Sequence, residues 1–133
     1  MPSIKVLTIE VLPDMLDAER HIREVDTANT LDDMCKWIFN GLPYDGQIDY
    51  TEVNVNGIHY DVWCDDSAFD RRPVIPTLFI SEEEILVGSL LIAKVDENGD
   101  TCGLNELDVK RLEHYLDERE KELYEFMERN FRH

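Results

Sequence analysis

Basic residues are scarce in this chain: lysine and arginine number 13 against 30 aspartates and glutamates, a formal net charge of −17 over 133 residues. Nucleic acid and anionic membrane are polyanions and repel such a chain, so direct binding to either is not expected. Cysteine is scarce too. Cys35, Cys64 and Cys102 are widely spaced and form no CxxC pair, so neither a zinc site nor a disulfide framework is indicated, and buried free thiols are expected. Long hydrophobic runs are missing. The most apolar stretch, residues 85–95, falls well short of the roughly 20 residues a membrane-spanning helix needs. The opening residues 1–11 read as a strand without the cationic start of a signal peptide. A cytoplasmic protein without membrane contact is therefore expected. Also missing are a phosphate loop, a serine nucleophile elbow and a metal-ligand cluster. The expectation is a non-enzymatic protein with no cofactor and no metal.

What is present predicts a single domain over 1–133, since 43% apolar residues are enough for an ordinary core. The stretch Ile85-Leu86-Val87-Gly88-Ser89-Leu90-Leu91-Ile92-Ala93-Lys94-Val95 reads as one strand buried on both faces, with a bulge at Gly88. Asp96-Glu97-Asn98-Gly99-Asp100 then turns the chain through Asn98-Gly99. Asp96, Asn98 and Asp100 match the start of a calcium loop, but Thr101 and Leu107 stand where its glycine and bidentate glutamate belong, so a plain turn is the better reading. Asn105 and Asp108 form a capping-box entry to a C-terminal helix over about 105–130. Val109, Leu112 and Leu116 share its core face. Earlier, residues 5–11 form a central strand, and 21–25 a short one. A helix begins at Thr30, capped with Asp33, burying Leu31, Met34, Cys35 and Ile38 and ending at Gly41. Trp37 flanks that stripe. The expected fold is α+β: a small, mostly antiparallel sheet of four to five strands, with the short helix and the long C-terminal helix on one face.

The run from Val87 through Gly88, Ala93-Lys94-Val95, Asp96 to Asp100 and on to Leu116 is similar to the end of an uncharacterised phage-type "domain of unknown function" family. Ile4-Lys5-Val6-Leu7-Thr8-Ile9-Glu10 resembles its first strand. Its members are small proteins of phages and conjugative elements in Gram-positive and gut bacteria. The family has no established reaction, so the resemblance implies a mobile-element context and no catalytic residues. This chain departs from the pattern over 65–76, which is longer and more charged, and after Leu116, where the helix runs on.

The clearest element is a hairpin over 48–64, closed by Asn56-Gly57 in a type I′ turn. A two-residue loop fixes the register. Thr51, Val53, Val55, Ile58, Tyr60 and Val62 line a core-facing side. The other side pairs Asn54 with His59, Glu52 with Asp61 and Tyr50 with Trp63. Two acids stand opposite each other there, beside an aromatic pair. Aromatics with carboxylates suit a partner carrying Arg or Lys. The partner-binding residues are accordingly read as Tyr50, Glu52, His59, Asp61 and Trp63, with Asp65 and Asp66 following. The competing reading covers Tyr50 and Trp63 with the 65–76 segment. As an enzyme site, Glu52, Asp61 and His59 lack a cleft.

In the C-terminal helix a second apolar patch of Leu123, Phe126 and Met127 either packs back on the sheet or serves a homodimer. Acid-before-base pairs Glu106–Lys110, Asp117–Lys121, Glu125–Arg129 and Glu128–Arg132 are expected along its exposed side. The leading functional expectation is an acidic mobile-element protein that binds a host protein through its carboxylates; the sharpest version is a DNA mimic or anti-defence inhibitor. The alternative is an accessory domain that oligomerises through the C-terminal helix.

Overall fold

The computed structural model describes residues 2–39, 47–70 and 72–131. Strands β1 (Ser3–Leu12), β2 (Asp17–Asp26), β3 (Ile48–Val55), β4 (Ile58–Asp65), β5 (Pro76–Ser81), β6 (Glu84–Val87), β7 (Leu90–Val95) and β8 (Thr101–Cys102) accompany helices α1 (Thr30–Ile38) and α2 (Glu106–Phe131). Six strands form one sheet in the order β2-β1-β7-β4-β3, with β8 added beside β7, and β5 and β6 form a separate pair. Every pairing is antiparallel. The α+β class is as expected, with one more strand in the main sheet than the four to five anticipated.

The two helices lie on opposite faces of that sheet, not on one. Leu112 and Leu116 of α2 pack with Leu7, Ile9, Val53, Tyr60, Val62, Leu90 and Ile92. Met34, Cys35 and Ile38 of α1 pack instead with Val6, Val25, Leu91 and Ala93. The reason lies in the strands. Val6 to Ile9 in β1 and Leu90 to Ala93 in β7 are buried without alternation, and a strand that is apolar on both sides needs a cover on both.

The apolar run 85–95 is also two strands rather than one. At Gly88 the backbone takes φ +80°, and its N–H donates to the Ile75 carbonyl at 2.9 Å. A side chain rarely adopts that conformation, so glycine permits the turn. The chain leaves β6, paired to β5, and enters β7 in the main sheet. The short strand expected over 21–25 is a full ten-residue edge, β2, joined to β1 by a short helical turn, Pro13–Met15.

Local signals fared unevenly. Asn105 and Asp108 cap α2 reciprocally: the Asp108 N–H donates to Asn105 Oδ1 at 2.8 Å, and the Asn105 N–H to Asp108 Oδ2 at 2.9 Å. The box expected at α1 does not form. Asp33 Oδ2 instead accepts from the Asp26 N–H at 2.8 Å, and Thr30 donates to the Thr27 carbonyl at 3.2 Å. Leu31, expected in the buried stripe, is 61% exposed. Gly41, the expected helix stop, lies outside the described residues, as does Arg132 of the expected Glu128–Arg132 pair.

Candidate functional site

The hairpin positions the candidate site. Asn56 and Gly57 have φ +54° and +87°, as a type I′ turn requires. The register follows: Asn54 opposite His59, Glu52 opposite Asp61, Tyr50 opposite Trp63. Val53, Val55, Tyr60 and Val62 point into the α2-side core. The opposite side of the hairpin therefore lies on the α1 face.

On that face the exposed groups are Tyr50, Glu52, Asn54 and His59. Trp63 is half-buried against the α1-side core, and its ring lies 4.7 Å from that of Tyr50, tilted by 41°. Trp63 thus packs on the α1-side core, while Tyr50 stays 46% exposed. Asp61 is only 9% exposed, and its Oδ1 is buried without a hydrogen-bond partner among the described residues. Burial first, and then the neighbouring Glu52, pushes its carboxyl above the usual carboxylate range. The indole N–H groups of Trp63 and Trp37 are likewise buried without an acceptor among the described residues. Most buried polar atoms have partners; here a buried acceptor and a buried donor stand two residues apart on one strand and lack them.

The remaining expected site residues do not join this group in the same way. Asp65 is buried and accepts from the Ser67 N–H at 2.9 Å, closing the turn after β4. Asp66 is exposed, and its backbone N–H donates to the Gln47 carbonyl. Both belong to the turn that ends the hairpin.

The patch expected as a dimer contact is occupied within the chain. Leu123 is buried, and Phe126 stacks on Phe79 of β5 at 5.7 Å. Met127 is half-buried. Of the two alternatives for this patch, packing back on a sheet is the one seen, and that sheet is the small β5–β6 pair. The helix charges pair along α2, where Arg119 meets Glu122 at 2.9 Å and Arg111 meets Asp108 at 3.0 Å, and also across to other elements. Asp117 and Glu120 meet Arg20 of β2 at 2.8 and 2.9 Å, and Arg129 meets Glu82 at 3.2 Å.

A second cluster escaped sequence reasoning. Asp108, 1% exposed, accepts from the Tyr60 hydroxyl at 2.7 Å, from Arg111 at 3.0 Å and from Lys94 at 3.2 Å. Burial alone would raise its pKa, but the Asn105 backbone N–H and the Tyr60 and Lys94 donors outweigh burial and hold the carboxyl below its ordinary value. Tyr60 is pushed up to about 12 by burial and by Asp108. The Asn105–Asp108 spacing announced the cap, but nothing local announced that Tyr60, 48 residues earlier, would sit on it.

Other chemistry is thin. Burial raises the pKa of all three thiols, that of Cys64 to about 11, so they stay protonated and unreactive at neutral pH. In the 96–100 turn, Asp96 Oδ1 accepts from the Asn98 and Asp100 N–H groups at 2.9 and 3.0 Å, which is a plain aspartate-capped turn. Among the described residues no three His, Cys, Asp or Glu side chains are grouped to hold a metal, and no helix is long and apolar enough to cross a membrane.

No protein-family model, no curated protein and no solved structure matches the chain. The reading of function therefore rests on the geometry of the site.

Proposed function

We propose that this chain is a non-enzymatic binding module whose α1-side hairpin face receives a cationic side chain of a protein partner. Asp61 carries the reading. A carboxylate that is nine-tenths buried, lacks a partner for one oxygen and faces a second acid destabilises the free protein. A guanidinium or ammonium placed between Glu52 and Asp61 offsets both the burial and the repulsion. The Tyr50–Trp63 pair supplies an aromatic wall for the same cation. The net charge of −17 steers a basic partner toward the chain. The resemblance to phage and conjugative-element proteins supports a host protein as that partner, met in the host cytoplasm. In its sharpest form the module mimics nucleic acid in a basic groove. That version spreads binding over many carboxylates, whereas the Asp61 reading concentrates it in one.

The test is a peptide array of matched basic, neutral and acidic sequences, probed with wild type, Asp61→Asn and Glu52→Gln, each checked for folding. Basic peptides retained by wild type and lost by both variants support the reading. Equal retention by all three proteins contradicts it. Retention that falls only with added salt, and not with either variant, favours the diffuse mimic.

A further inference from the structure

The main sheet has two edges, and they differ. The β2 edge, Asp17–Asp26, mixes acids and bases along its length. Its Arg20 is tied to Asp117 and Glu120 of α2, and Arg23 to Glu10 of β1. Mixed, committed charge of this kind keeps an edge from pairing. The β3 edge, Ile48–Val55, is rich in β-branched and aromatic residues, contains no proline and pairs with β4 in unbroken register.

The hairpin geometry says which backbone groups that edge presents. In a two-residue hairpin the residues flanking the turn, Val55 and Ile58, exchange hydrogen bonds, and every second pair after them does the same. Asn54, Glu52 and Tyr50 are the intervening residues, so their N–H and C=O groups point away from β4. The Tyr50 N–H is taken by Asp49 Oδ1 at 2.8 Å. The N–H and C=O groups of Glu52 and Asn54 have no partner among the described residues. The side chains of Tyr50, Glu52 and Asn54 lie on the α1 face, the face of Asp61 and Trp63.

We infer that β3 is a docking edge, to which an extended arginine-bearing segment of a partner protein adds as a further strand. This rests on the reading of the hairpin as a cation-receiving face, and it states the form in which the cation arrives. Directly opposed residues share a face, so a residue opposite Glu52 projects its side chain over Glu52 toward Asp61. Asp61 sits two strands in, about 10 Å from the added backbone at roughly 4.8 Å per strand. A long basic side chain spans that distance and a short one does not. Charge selects the occupant. Pairing β3 with a second copy of itself brings together two chains that each carry a net charge of −17, whereas a basic strand meets complementary charge.

The probe is a synthetic ten-residue peptide alternating arginine with valine, titrated into the full chain at low salt. Two further versions are N-methylated, one at the arginines and one at the valines. N-methylation removes the donors of one alternating set and leaves the charge intact. Amide exchange of Glu52 and Asn54 is followed in parallel. The expected result has three parts. The parent peptide binds, one N-methylated set loses at least tenfold in affinity while the other is spared, and the Glu52 and Asn54 amides slow at least tenfold. If both methylated peptides bind like the parent, or both lose equally, or the two amides do not slow, edge pairing is overturned. In those cases loss of parent binding with Asp61→Asn still leaves the cation-receiving face standing. If the parent does not bind at all, that face falls and the edge falls with it.

Discussion

Two buried aspartates, on opposite faces of one sheet, behave in opposite ways. Asp108 is 1% exposed and Asp61 9%, yet the first is surrounded by donors and the second has an oxygen with none among the described residues. Asp108 takes bonds from a tyrosine, a lysine, an arginine and a helix N-terminus, and its pKa is held down. Asp61 faces Glu52, and its pKa is pushed up. Burial of a charge is not in itself stabilising or destabilising; the partners decide. One aspartate fastens α2 to the sheet. The other is left with an oxygen that no described residue meets, the demand that the proposed cationic partner would fill.

Substitutions at the two positions should differ in sign. Asp108→Ala is expected to be the most damaging change. It leaves Tyr60, Lys94 and Arg111 without their acceptor and uncaps α2, at a cost of about 3–5 kcal/mol, measured by urea denaturation. The pH dependence follows from the lowered pKa. Asp108 contributes fully above the ordinary carboxylate value of about 3.9, and the contribution disappears as pH falls through its depressed folded value. Tyr60→Phe removes the hydroxyl that donates to Asp108 and accepts from Arg111 but keeps the packing, so a smaller loss of about 1–3 kcal/mol is expected on the same assay.

Asp61→Asn should do the reverse and raise stability at neutral pH, by about 1 kcal/mol, read as a higher Tm. A carboxyl with a raised folded pKa loses stability as pH climbs from about 3.9 to that raised value. The gain from the neutral amide therefore shrinks toward zero in acid, where Asp61 is already protonated. Arg20→Ala, which breaks exposed pairs to Asp117 and Glu120, should cost the least, about 0.2–1 kcal/mol, and less still in high salt. A large effect there would mean that surface charge, rather than the two buried acids, governs this fold.

The hairpin was legible because a two-residue Asn-Gly turn fixes every pair that follows. The α2 cap was legible because Asn105 and Asp108 are three apart and act within one turn. Less could be read where the decision is tertiary. Gly88 marks an irregularity, but whether it bends one strand or divides two depends on Ile75 and β5. Leu31 fits a helical stripe, yet only Met34, Cys35 and Ile38 reach Val6, Val25 and Leu91. The unbroken apolar run Leu90–Ala93 already requires cover on both sides, so opposed helices are implicit in that strand even where the sequence suggests one face for both. At the site, the facing of Glu52 and Asp61 could be read from register alone. The burial of Asp61 and its unpaired oxygen could not, because they depend on what packs over that face of the sheet rather than on register.

The most direct test is to titrate both aspartate side-chain carboxyls by NMR in one sample of the free protein. The account predicts that Asp61 titrates above the ordinary value of about 3.9 and Asp108 below it. If Asp61 titrates at or below that value, its carboxylate is already satisfied within the chain, and the cation-receiving face is contradicted.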